Sequence, residues 1–371
     1  MVDLKQQYLR VKPAMDAAVL NVLNSTMYIG GPQVNEFANN LSKYLGIKHV
    51  IPCANGTDAL QIAMMALDLQ PGDEVITPSF TYIATTEVIA LLKLKPVFVE
   101  VDKSTFCIDT NAVKKAITPR TKAIVPVHLY GHTANMEAIM QIAKEHDLFV
   151  IEDNAQSIGG DYIFKDGTKK KSGTIANIGC TSFYPGKNLG CYGDGGAMFT
   201  NDDALAEKLK MIANHGQKER YYHDVVGCNS RLDAIQAAVL NIKLPFLDEY
   251  ISARKKAAAY YNKGFANHPK ITSPYTAAYS THVFHQYTLI LEDVDRNGLH
   301  NFLAENNIPS MLYYPVPAHR QKMFDAFGGS SYNLPITDWL TERVISLPMH
   351  TELDEEQQDF IVKKVLEFVN K

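Results

Sequence analysis

The sequence predicts an α/β protein with a large domain followed by a smaller one, on three observations. Between residues 49 and 200, short β-rich runs alternate with amphipathic helical patterns, which is typical of a parallel or mixed sheet covered by helices. A long helical pattern at 232–265, with a kink expected at Pro245, carries the chain out of this region. A shorter α/β pattern follows. We therefore expect a large domain at residues 1–245 and a small C-terminal domain at 246–371.

Strands are predicted on both sides of the long helical pattern, wherever a short β-rich run lies between turn signals such as Pro71-Gly72-Asp73. In the large domain we expect strands at 74–77, 97–101, 123–127 and 149–151. In the small domain we expect strands at 287–291, 311–314 and 344–347, and a closing helix at 354–369.

Composition excludes several classes of protein. The chain has 371 residues, of which 46% are hydrophobic and 20% charged, enough for a buried core in more than one domain. A formal charge of −4 argues against a nucleic-acid binder. We expect a cytoplasmic protein, because no stretch resembles a transmembrane helix and the N terminus lacks the apolar region of a signal peptide. The cysteines are odd in number and form no CxxC pair, which favours reduced thiols: Cys53, Cys107, Cys180, Cys191 and Cys228.

Lys187 lies in a run of small and turn-forming residues at 181–190, directly before the glycine cluster at 193–196. Burial in such a turn disfavours the ammonium form, lowers the pKa of the lysine and leaves a free amine. A free amine condenses with an aldehyde such as that of pyridoxal phosphate. Taken alone, a lysine among glycines is more often a solvated loop residue.

A carboxylate follows the predicted strand at 149–151. Asp153 and Gln156 lie where the strand should end, which is where open α/β sheets bind their ligands. A pyridoxal cofactor needs a carboxylate at its ring nitrogen to keep that nitrogen protonated, which suits Asp153, and Gln156 could contact the ring hydroxyl. The alternative is that Asp153 caps a following helix.

A glycine turn at 53–58 opens an apolar helix at 59–67. The free amides at the start of a helix and the helix dipole together form an anion site. The Gly56 and Thr57 amides and the Thr57 hydroxyl could hold a phosphate, with Ser182 reaching it from the other side. An ordinary helix N-cap is the alternative.

Two pairs of histidines have spacings that raise the question of a metal site. His128 and His132 are four residues apart, and His282 and His285 are three apart. A metal site needs further ligands, and no third ligand is evident in the sequence. We expect hydrogen-bonded histidines near the cleft and no metal.

In this order and spacing, these segments resemble the pyridoxal-phosphate-dependent nucleotide-sugar aminotransferases of the DegT/DnrJ/EryC1/StrS type. The resemblance covers essentially the whole chain and is strongest at 53–63, 71–78, 152–157, 181–202, 229–233 and 313–317. It implies the aspartate-aminotransferase-like fold (fold type I), with a large mixed-sheet domain and a smaller C-terminal α/β domain.

The resemblance also implies site roles. Lys187 would bond to the cofactor aldehyde, Asp153 would pair with the ring nitrogen, and Gln156 would lie by the ring hydroxyl. The remaining positions that match cofactor-binding residues are Gly56, Thr57 and Ser182 at the phosphate and Tyr82 stacked on the ring. Asn229 matches a residue that reaches the phosphate of the neighbouring subunit's cofactor, which implies a homodimer with shared active sites.

Substrate choice is expected to depend on Arg231, Tyr313 and Tyr314. The Arg231 guanidinium is a planar fork suited to the carboxylate of an amino donor or of a uronate sugar, and the alternative is a structural ion pair with Asp233 or another acid. Tyr313 stands where many relatives carry histidine. The motifs most resemble the subgroup that uses L-glutamate to aminate carbon 3 of UDP-2-acetamido-2-deoxy-3-oxo-glucuronate, for surface polysaccharide.

Three other functions are considered. The acceptor could instead be a dTDP- or GDP-linked 3-keto or 4-keto deoxysugar. A sugar dehydratase on the same fold is disfavoured, because those relatives carry histidine in place of Lys187. A non-catalytic regulator that senses a sugar nucleotide is disfavoured by the complete catalytic set.

Overall fold

A seven-stranded mixed sheet organises the first half of the chain in the computed structural model, which describes all residues, Met1–Lys371. The helices are α1 (Leu4–Ser25), α2 (Pro32–Leu45), α3 (Gly56–Ala66), α4 (Ala84–Leu91), α5 (Thr110–Ala116), α6 (Met136–His146), α7 (Asp203–Ala213), α8 (Ala234–Lys243), α9 (Leu247–Gly264), α10 (Arg296–Glu305), α11 (Pro335–Arg343) and α12 (Glu355–Val369). The strands are β1 (His49–Cys53), β2 (Glu74–Pro78), β3 (Lys95–Val99), β4 (Thr121–Ile124), β5 (Phe149–Asp153), β6 (Asp161–Ile163), β7 (Lys169–Lys171), β8 (Ile178–Ser182), β9 (Gly196–Thr200), β10 (Gln217–Glu219), β11 (Tyr222–His223), β12 (Ile271–Thr272), β13 (Tyr287–Leu291) and β14 (Val344–Leu347).

The strand order of the large sheet is β1-β9-β8-β5-β4-β2-β3. All neighbouring strands run parallel except β9, which is antiparallel to both β1 and β8. Strands β1, β2, β5 and β8 therefore share one direction, and their carboxyl ends meet at one edge of the sheet. Open α/β sheets bind ligands at this edge.

Helices cover both faces of the sheet because its inner strands are apolar on both sides. On β2, Val75 packs into the cluster that includes α3 and α7, while its neighbour Ile76 packs on the opposite face with α5 and α6. Helices α1, α2 and α8 complete the second face near β9, where Phe199 is fully buried. This is the α/β architecture that the sequence predicts.

The C-terminal part has an apolar core of its own. A three-stranded antiparallel sheet, β12-β13-β14, packs with α9, α10 and α12. The expected kink is confirmed, since α8 and α9 are separated by a 3-10 turn at Leu244–Phe246 that contains Pro245. The division of the chain into domains at 1–245 and 246–371 stays a prediction.

The expected strand at 311–314 is wrong. Only Met311 forms a bridge, to Ser346 of β14, and the next residues leave the sheet. The reason is tertiary, because Tyr314 packs edge-on against Phe80 and bonds to Gln156 at the edge of the large sheet. The other predicted strands form, and four of them differ in their bounds: β2 ends one residue later, β3 starts and ends two residues early, β4 spans Thr121–Ile124, and β5 continues to Asp153. None of the helices is both long enough and apolar enough to span a membrane.

Candidate active site

Four segments meet at the carboxyl edge of the large sheet: those that follow β1, β2, β5 and β8. The first segment starts helix α3. Its cap is Asn55, whose side chain accepts a hydrogen bond from the Asp58 amide at 2.8 Å. The Gly56 and Thr57 amides stand in the first turn and find no acceptor within the chain. The expected cap is therefore present, and it leaves two amides free for an anion.

Ser182, at the end of β8, lies directly against this turn. A Cβ on Gly56 would be 2.7 Å from the Ser182 Cβ, so only glycine allows this approach. The Ser182 oxygen accepts a hydrogen bond from the Tyr184 amide at 3.2 Å, which leaves its hydroxyl proton free to donate. Two amides and one hydroxyl are thus gathered at the positive end of a helix, which is the donor set that a phosphate requires.

The segment from Phe183 to Cys191, hereafter the lysine loop, presents Lys187. The loop is closed at its base by a hydrogen bond from the Cys191 amide to the Phe183 carbonyl at 2.8 Å. At its tip the Lys187 amide donates to the Tyr184 carbonyl at 2.8 Å. Asn188 is buried and donates to the Val283 carbonyl at 3.2 Å, which ties the loop to the C-terminal part.

The environment of Lys187 makes its amine more available. Burial lowers the pKa of Lys187 from 10.5 to about 8, although the nearby Asp153 carboxylate acts in the opposite direction. About one amine in ten is then unprotonated at pH 7, compared with about one in 3,000 at the ordinary value. This is the shift that the sequence predicts for a lysine enclosed in a turn.

Asp153 is buried at the end of β5 and retains unused acceptor capacity. Its two carboxylate oxygens accept hydrogen bonds from the Thr85 hydroxyl at 2.7 Å and the Ala155 amide at 3.1 Å. No helix follows Asp153, so it is not a helix cap. A carboxylate oxygen can accept more than one hydrogen bond, so Asp153 can still receive a proton donor such as a protonated ring nitrogen.

Glu152, on the opposite side of the strand, has no such capacity. Its carboxylate accepts hydrogen bonds from the amides of Gly173, Ile175 and Ala176 at 2.7–2.8 Å. His128 is 2.9 Å away, and because its Nδ1 accepts from a backbone amide, its Nε2 must donate to Glu152. Glu152 therefore satisfies hydrogen-bond donors in the protein interior, whereas Asp153 is available at the edge of the sheet.

Gln156, Tyr314 and Tyr82 form one wall of the edge. The Gln156 side chain accepts a hydrogen bond from the Tyr130 amide at 2.8 Å and donates to the Tyr314 hydroxyl at 3.1 Å. One N–H of Gln156 remains free. Tyr82 is 56% exposed, with its ring centroid 6.2 Å from that of Tyr314. An exposed aromatic ring at this edge of the sheet suits the stacking of a flat cofactor.

Tyr313 lies beside Tyr314, with their ring centroids 5.7 Å apart. The Tyr130 hydroxyl donates to the Tyr313 carbonyl, which holds the backbone of this pair. The structure thus gathers the two tyrosines with the cofactor-binding candidates, from a part of the chain more than 100 residues downstream of Lys187.

Asn229 and Arg231 are placed differently. Both side chains are exposed and neither forms a hydrogen bond or ion pair within the chain. The expected alternative for Arg231, an ion pair with Asp233, does not form. Between them, the buried Ser230 accepts a hydrogen bond from the Ala54 amide at 3.1 Å, beside the Gly56 turn. The residues Asn229–Arg231, hereafter the rim segment, are thus anchored to the site through Ser230.

Sequence reasoning missed several residues of the site, because only folding brings them there. Thr85 and Tyr130 carry no motif; helix α4 places Thr85 against Asp153, and the Tyr130 amide donates to Gln156. His285 is buried, and burial, with Lys187 and Arg254 nearby, lowers its pKa well below the ordinary value. Three of the four expected histidines are well hydrogen-bonded: His128 as described above, His132, which donates to the Thr133 carbonyl and accepts from the Ala277 amide, and His282, which accepts from the Phe284 amide. The Nδ1 atom of His285 has no hydrogen-bond partner. No group of three metal-ligating side chains is found in the structure.

This edge therefore fits pyridoxal phosphate: it offers phosphate donors, a carboxylate with spare acceptor capacity, a low-pKa amine and an exposed aromatic ring. Comparison with known proteins adds the decisive observation. The model of the DegT/DnrJ/EryC1/StrS aminotransferase family matches residues 10–366. The chain belongs to this family. It is therefore a pyridoxal-phosphate-dependent sugar aminotransferase, and its fold is that of the fold type I aminotransferases.

Similar proteins within the DegT/DnrJ/EryC1/StrS family carry two kinds of name. The chain is 46% identical over 353 residues to the UDP-2-acetamido-2-deoxy-3-oxo-D-glucuronate aminotransferase of Pseudomonas aeruginosa, covering 95% of each chain. It is 45% identical over 370 residues to the pleiotropic regulatory protein of Geobacillus stearothermophilus, covering 99% of this chain and 98% of that one.

Among solved structures, this family member is similar to S. venezuelae DesV in complex with a ketimine intermediate. The two share 39% identity with a TM-score of 0.94, and the alignment covers 100% of this chain and 98% of DesV.

Proposed function

We propose that this enzyme transfers the amino group of L-glutamate to carbon 3 of UDP-2-acetamido-2-deoxy-3-oxo-glucuronate, as a step toward amino sugars of surface polysaccharide. The observation that carries the choice of sugar is Arg231, an exposed guanidinium at the rim of the site that has no acidic partner in its own chain. The similarity to the Pseudomonas aeruginosa enzyme supports the same choice.

In this proposal the edge of the sheet holds the cofactor. Gly56, Thr57 and Ser182 would bind the phosphate, Tyr82 would stack on the ring, and Gln156 would bond to the ring hydroxyl. Bound pyridoxal phosphate supplies an aldehyde that accepts the donor's amino group and a ring that withdraws electrons from the adjacent carbon. Asp153 would keep the ring nitrogen protonated, which its unused acceptor capacity supports.

Lys187 would have two tasks. Its amine would bond to the cofactor aldehyde before the donor arrives, which a pKa of about 8 favours. Once released by the donor, the same amine would take the proton from the carbon of L-glutamate that carries nitrogen. Its place at the tip of a closed loop keeps it within reach for both tasks.

Arg231 would bind a carboxylate in each half of the reaction. The guanidinium presents a rigid pair of donors that matches a carboxylate, and lysine in its place would offer only a point charge. Tyr313 and Tyr314 would line the sugar pocket beside it. A neutral keto sugar has no carboxylate for Arg231, so acceptors with and without a carboxylate should distinguish the proposed sugar from the dTDP- and GDP-linked deoxysugars.

The proposal includes a homodimer in which Asn229 reaches the cofactor phosphate of the neighbouring subunit. Exposed, unpartnered polar groups at the rim support this assembly. We also place the enzyme in the cytoplasm. All five cysteines carry free thiols, as expected in a reducing compartment.

The test follows the absorption spectrum of the protein with bound pyridoxal phosphate. Addition of L-glutamate should remove the visible absorption of the aldehyde form and produce the absorption of the amine form. The UDP-linked 3-keto uronate should then restore the aldehyde form. Absence of any change with L-glutamate would contradict the donor, and failure of the uronate with success of a neutral keto sugar would contradict the acceptor.

Arg231→Lys sharpens the test. We expect turnover with the uronate to fall by about tenfold or more, since a charge-assisted bidentate contact is lost. With a neutral keto sugar and saturating L-glutamate, a much smaller loss is expected. Equal losses with both acceptors would remove Arg231 from sugar recognition. A protein that binds cofactor but turns over no acceptor would favour the regulatory function suggested by the name of the Geobacillus relative.

A further inference from the structure

Helix α8 carries a buried lysine whose side chain reaches the lysine loop. Lys243 is 1% exposed, and its Nζ donates a hydrogen bond to the Gly190 carbonyl at 2.6 Å. We propose that Lys243 is a positioning residue for the aminotransferase reaction, which fixes the lysine loop so that Lys187 faces the cofactor. This inference rests on the role proposed above for Lys187.

Gly190 packs against the opposite side of the lysine loop. A Cβ at this position would lie 2.4 Å from the Pro185 carbonyl oxygen and 2.7 Å from that of Tyr184. The backbone at residue 190 is therefore packed directly against the turn that precedes Lys187. A displacement of the Gly190 carbonyl should therefore also displace that turn, because protein interiors are close-packed and contain few voids.

The Gly190 contact belongs to a pair of contacts made by one face of α8. Gln236 lies seven residues before Lys243, two helical turns away, and so points in a similar direction. The Gln236 side chain accepts a hydrogen bond from the Tyr192 amide at 2.8 Å. Helix α8 thus holds the chain at Gly190, within the C-terminal end of the lysine loop, and at Tyr192, the residue that directly follows the loop.

A lysine at position 243 needs an explanation, because burying its charged ammonium group is unfavourable unless other groups compensate for the lost water. No carboxylate pairs with Lys243. Its neighbours are the Gly190 carbonyl, the Cys191 thiol and the face of the Tyr192 ring, whose centroid is 5.3 Å from Nζ; the one charged neighbour, Arg254, is also positive and so offers no compensation. Gly190 and Cys191 end the lysine loop and Tyr192 directly follows it, so the favourable contacts of this side chain serve that loop.

The experiment compares Lys243→Met and Lys243→Gln with the unaltered enzyme. Methionine removes the donor while keeping an unbranched side chain, whereas glutamine keeps an N–H that can donate to the Gly190 carbonyl. Lys270→Met is the matched control, because Lys270 also donates to a backbone carbonyl, that of Val369, at 3.1 Å in the C-terminal part. Apoprotein is mixed with pyridoxal phosphate, reduced with borohydride at successive times, and the modified lysine is mapped by mass spectrometry.

We expect Lys243→Met to slow modification at Lys187 by about tenfold to a hundredfold at pH 7, as a small displacement of a reacting group can cost that much. The pH midpoint of modification should also rise, because a loosened loop is less buried. The groups that face Lys187 in this comparison are Asp153 and His285, which are unchanged by the substitution. Lys243→Gln should lie between Lys243→Met and the unaltered enzyme, and Lys270→Met should match the latter.

The outcomes separate the inference from the function on which it rests. Modification of unaltered enzyme at a lysine other than Lys187 would contradict the proposed function. Modification at Lys187 with the same rate and pH midpoint in both Lys243 variants would overturn the positioning role. If Lys243→Met does not fold, Lys243→Gln and Gln236→Ala provide the test, since both should slow modification at Lys187 with an unchanged far-ultraviolet circular dichroism spectrum.

Discussion

The lysine loop and the rim segment differ in how completely their own chain satisfies them. The lysine loop is held by backbone hydrogen bonds at its base and tip, and by Lys243 and Asn188 at its sides. In the rim segment only Ser230 is bonded, while Asn229 and Arg231 extend into solvent without partners. The hydrogen bonds of the lysine loop are thus made within a single chain, whereas the side chains of Asn229 and Arg231 have no partner in their own chain.

The physical requirement of each part explains this difference. An amine that must attack one carbon benefits from a fixed position, and burial also lowers its pKa. A guanidinium that binds a substrate carboxylate must be free of other carboxylates, or the substrate would have to displace them. We therefore expect substitutions in the lysine loop to act on bond-making steps, and substitutions in the rim segment to act on recognition and assembly.

The largest effect is expected from Lys187→Ala. Loss of the proton-transferring amine alone should lower the rate of turnover by about 10²–10⁴-fold, and the covalent bond to the cofactor is lost as well. The fold should be retained, because the structural hydrogen bond of Lys187 is made by its backbone amide, to the Tyr184 carbonyl, and alanine keeps that amide. Turnover is measured with L-glutamate and the keto sugar, with thermal unfolding as the control; near-normal turnover would contradict the proposed mechanism.

An intermediate effect is expected from pH. The lowered pKa means that Lys187 is protonated below about pH 8 and free above it. The rate of cofactor capture by apoprotein should therefore rise about tenfold per pH unit up to pH 8, and then level off. Borohydride reduction and mass spectrometry between pH 6 and 10 measure this rate at Lys187 itself. A rate still rising at pH 10 would show that the loop does not lower the pKa.

The smallest effect is expected from Asn229→Ala. If Asn229 bonds to the partner's cofactor phosphate, its loss should weaken cofactor binding by about tenfold, the range of a hydrogen bond to a charged group. Ser230→Ala is not a suitable control, because Ser230 accepts a hydrogen bond from the Ala54 amide. Lys218→Ala serves as the control instead, because Lys218 is exposed and its side chain bonds to Glu207, which is not a proposed site residue.

Mixed dimers make the assignment of Asn229 to the partner testable. In a dimer of one Lys187→Ala chain and one Asn229→Ala chain, one of the two sites would combine an intact Lys187 with an intact Asn229. At a pyridoxal phosphate concentration that leaves Asn229→Ala largely unloaded, mixing the two variants should therefore restore activity above that of either alone. No gain on mixing, with dimer exchange verified, would place Asn229 in the site of its own chain or outside the site.

Much of the proposed cofactor side of the site could be located from the sequence because it lies at strand ends. Asp153 follows a run of buried strand residues, and the Gly56 turn precedes an apolar helix, so local pattern alone locates both. Lys187 was indicated by small residues around it, and burial does lower its pKa. Each of these signals is contained within about ten residues of the chain.

The strand predicted at 311–314, which does not form, shows what local sequence pattern cannot predict. Those residues have the composition of a strand, but Tyr314 bonds to Gln156, 158 residues away in the chain. That contact draws the segment out of the small sheet and into the site. No propensity within the segment records such a contact.

The sequence by itself determined the α/β class, the family and the chemical types of the residues proposed to bind the cofactor, because these depend on short-range periodicity and on motifs. Tertiary structure alone decided that Thr85 supports Asp153, that Arg231 is left without an acid, and that Lys243 reaches the lysine loop. The reason is that burial and hydrogen-bond pairing are properties of neighbours in space. Those neighbours are set by how β5, β8 and α8 pack, and not by their order in the chain.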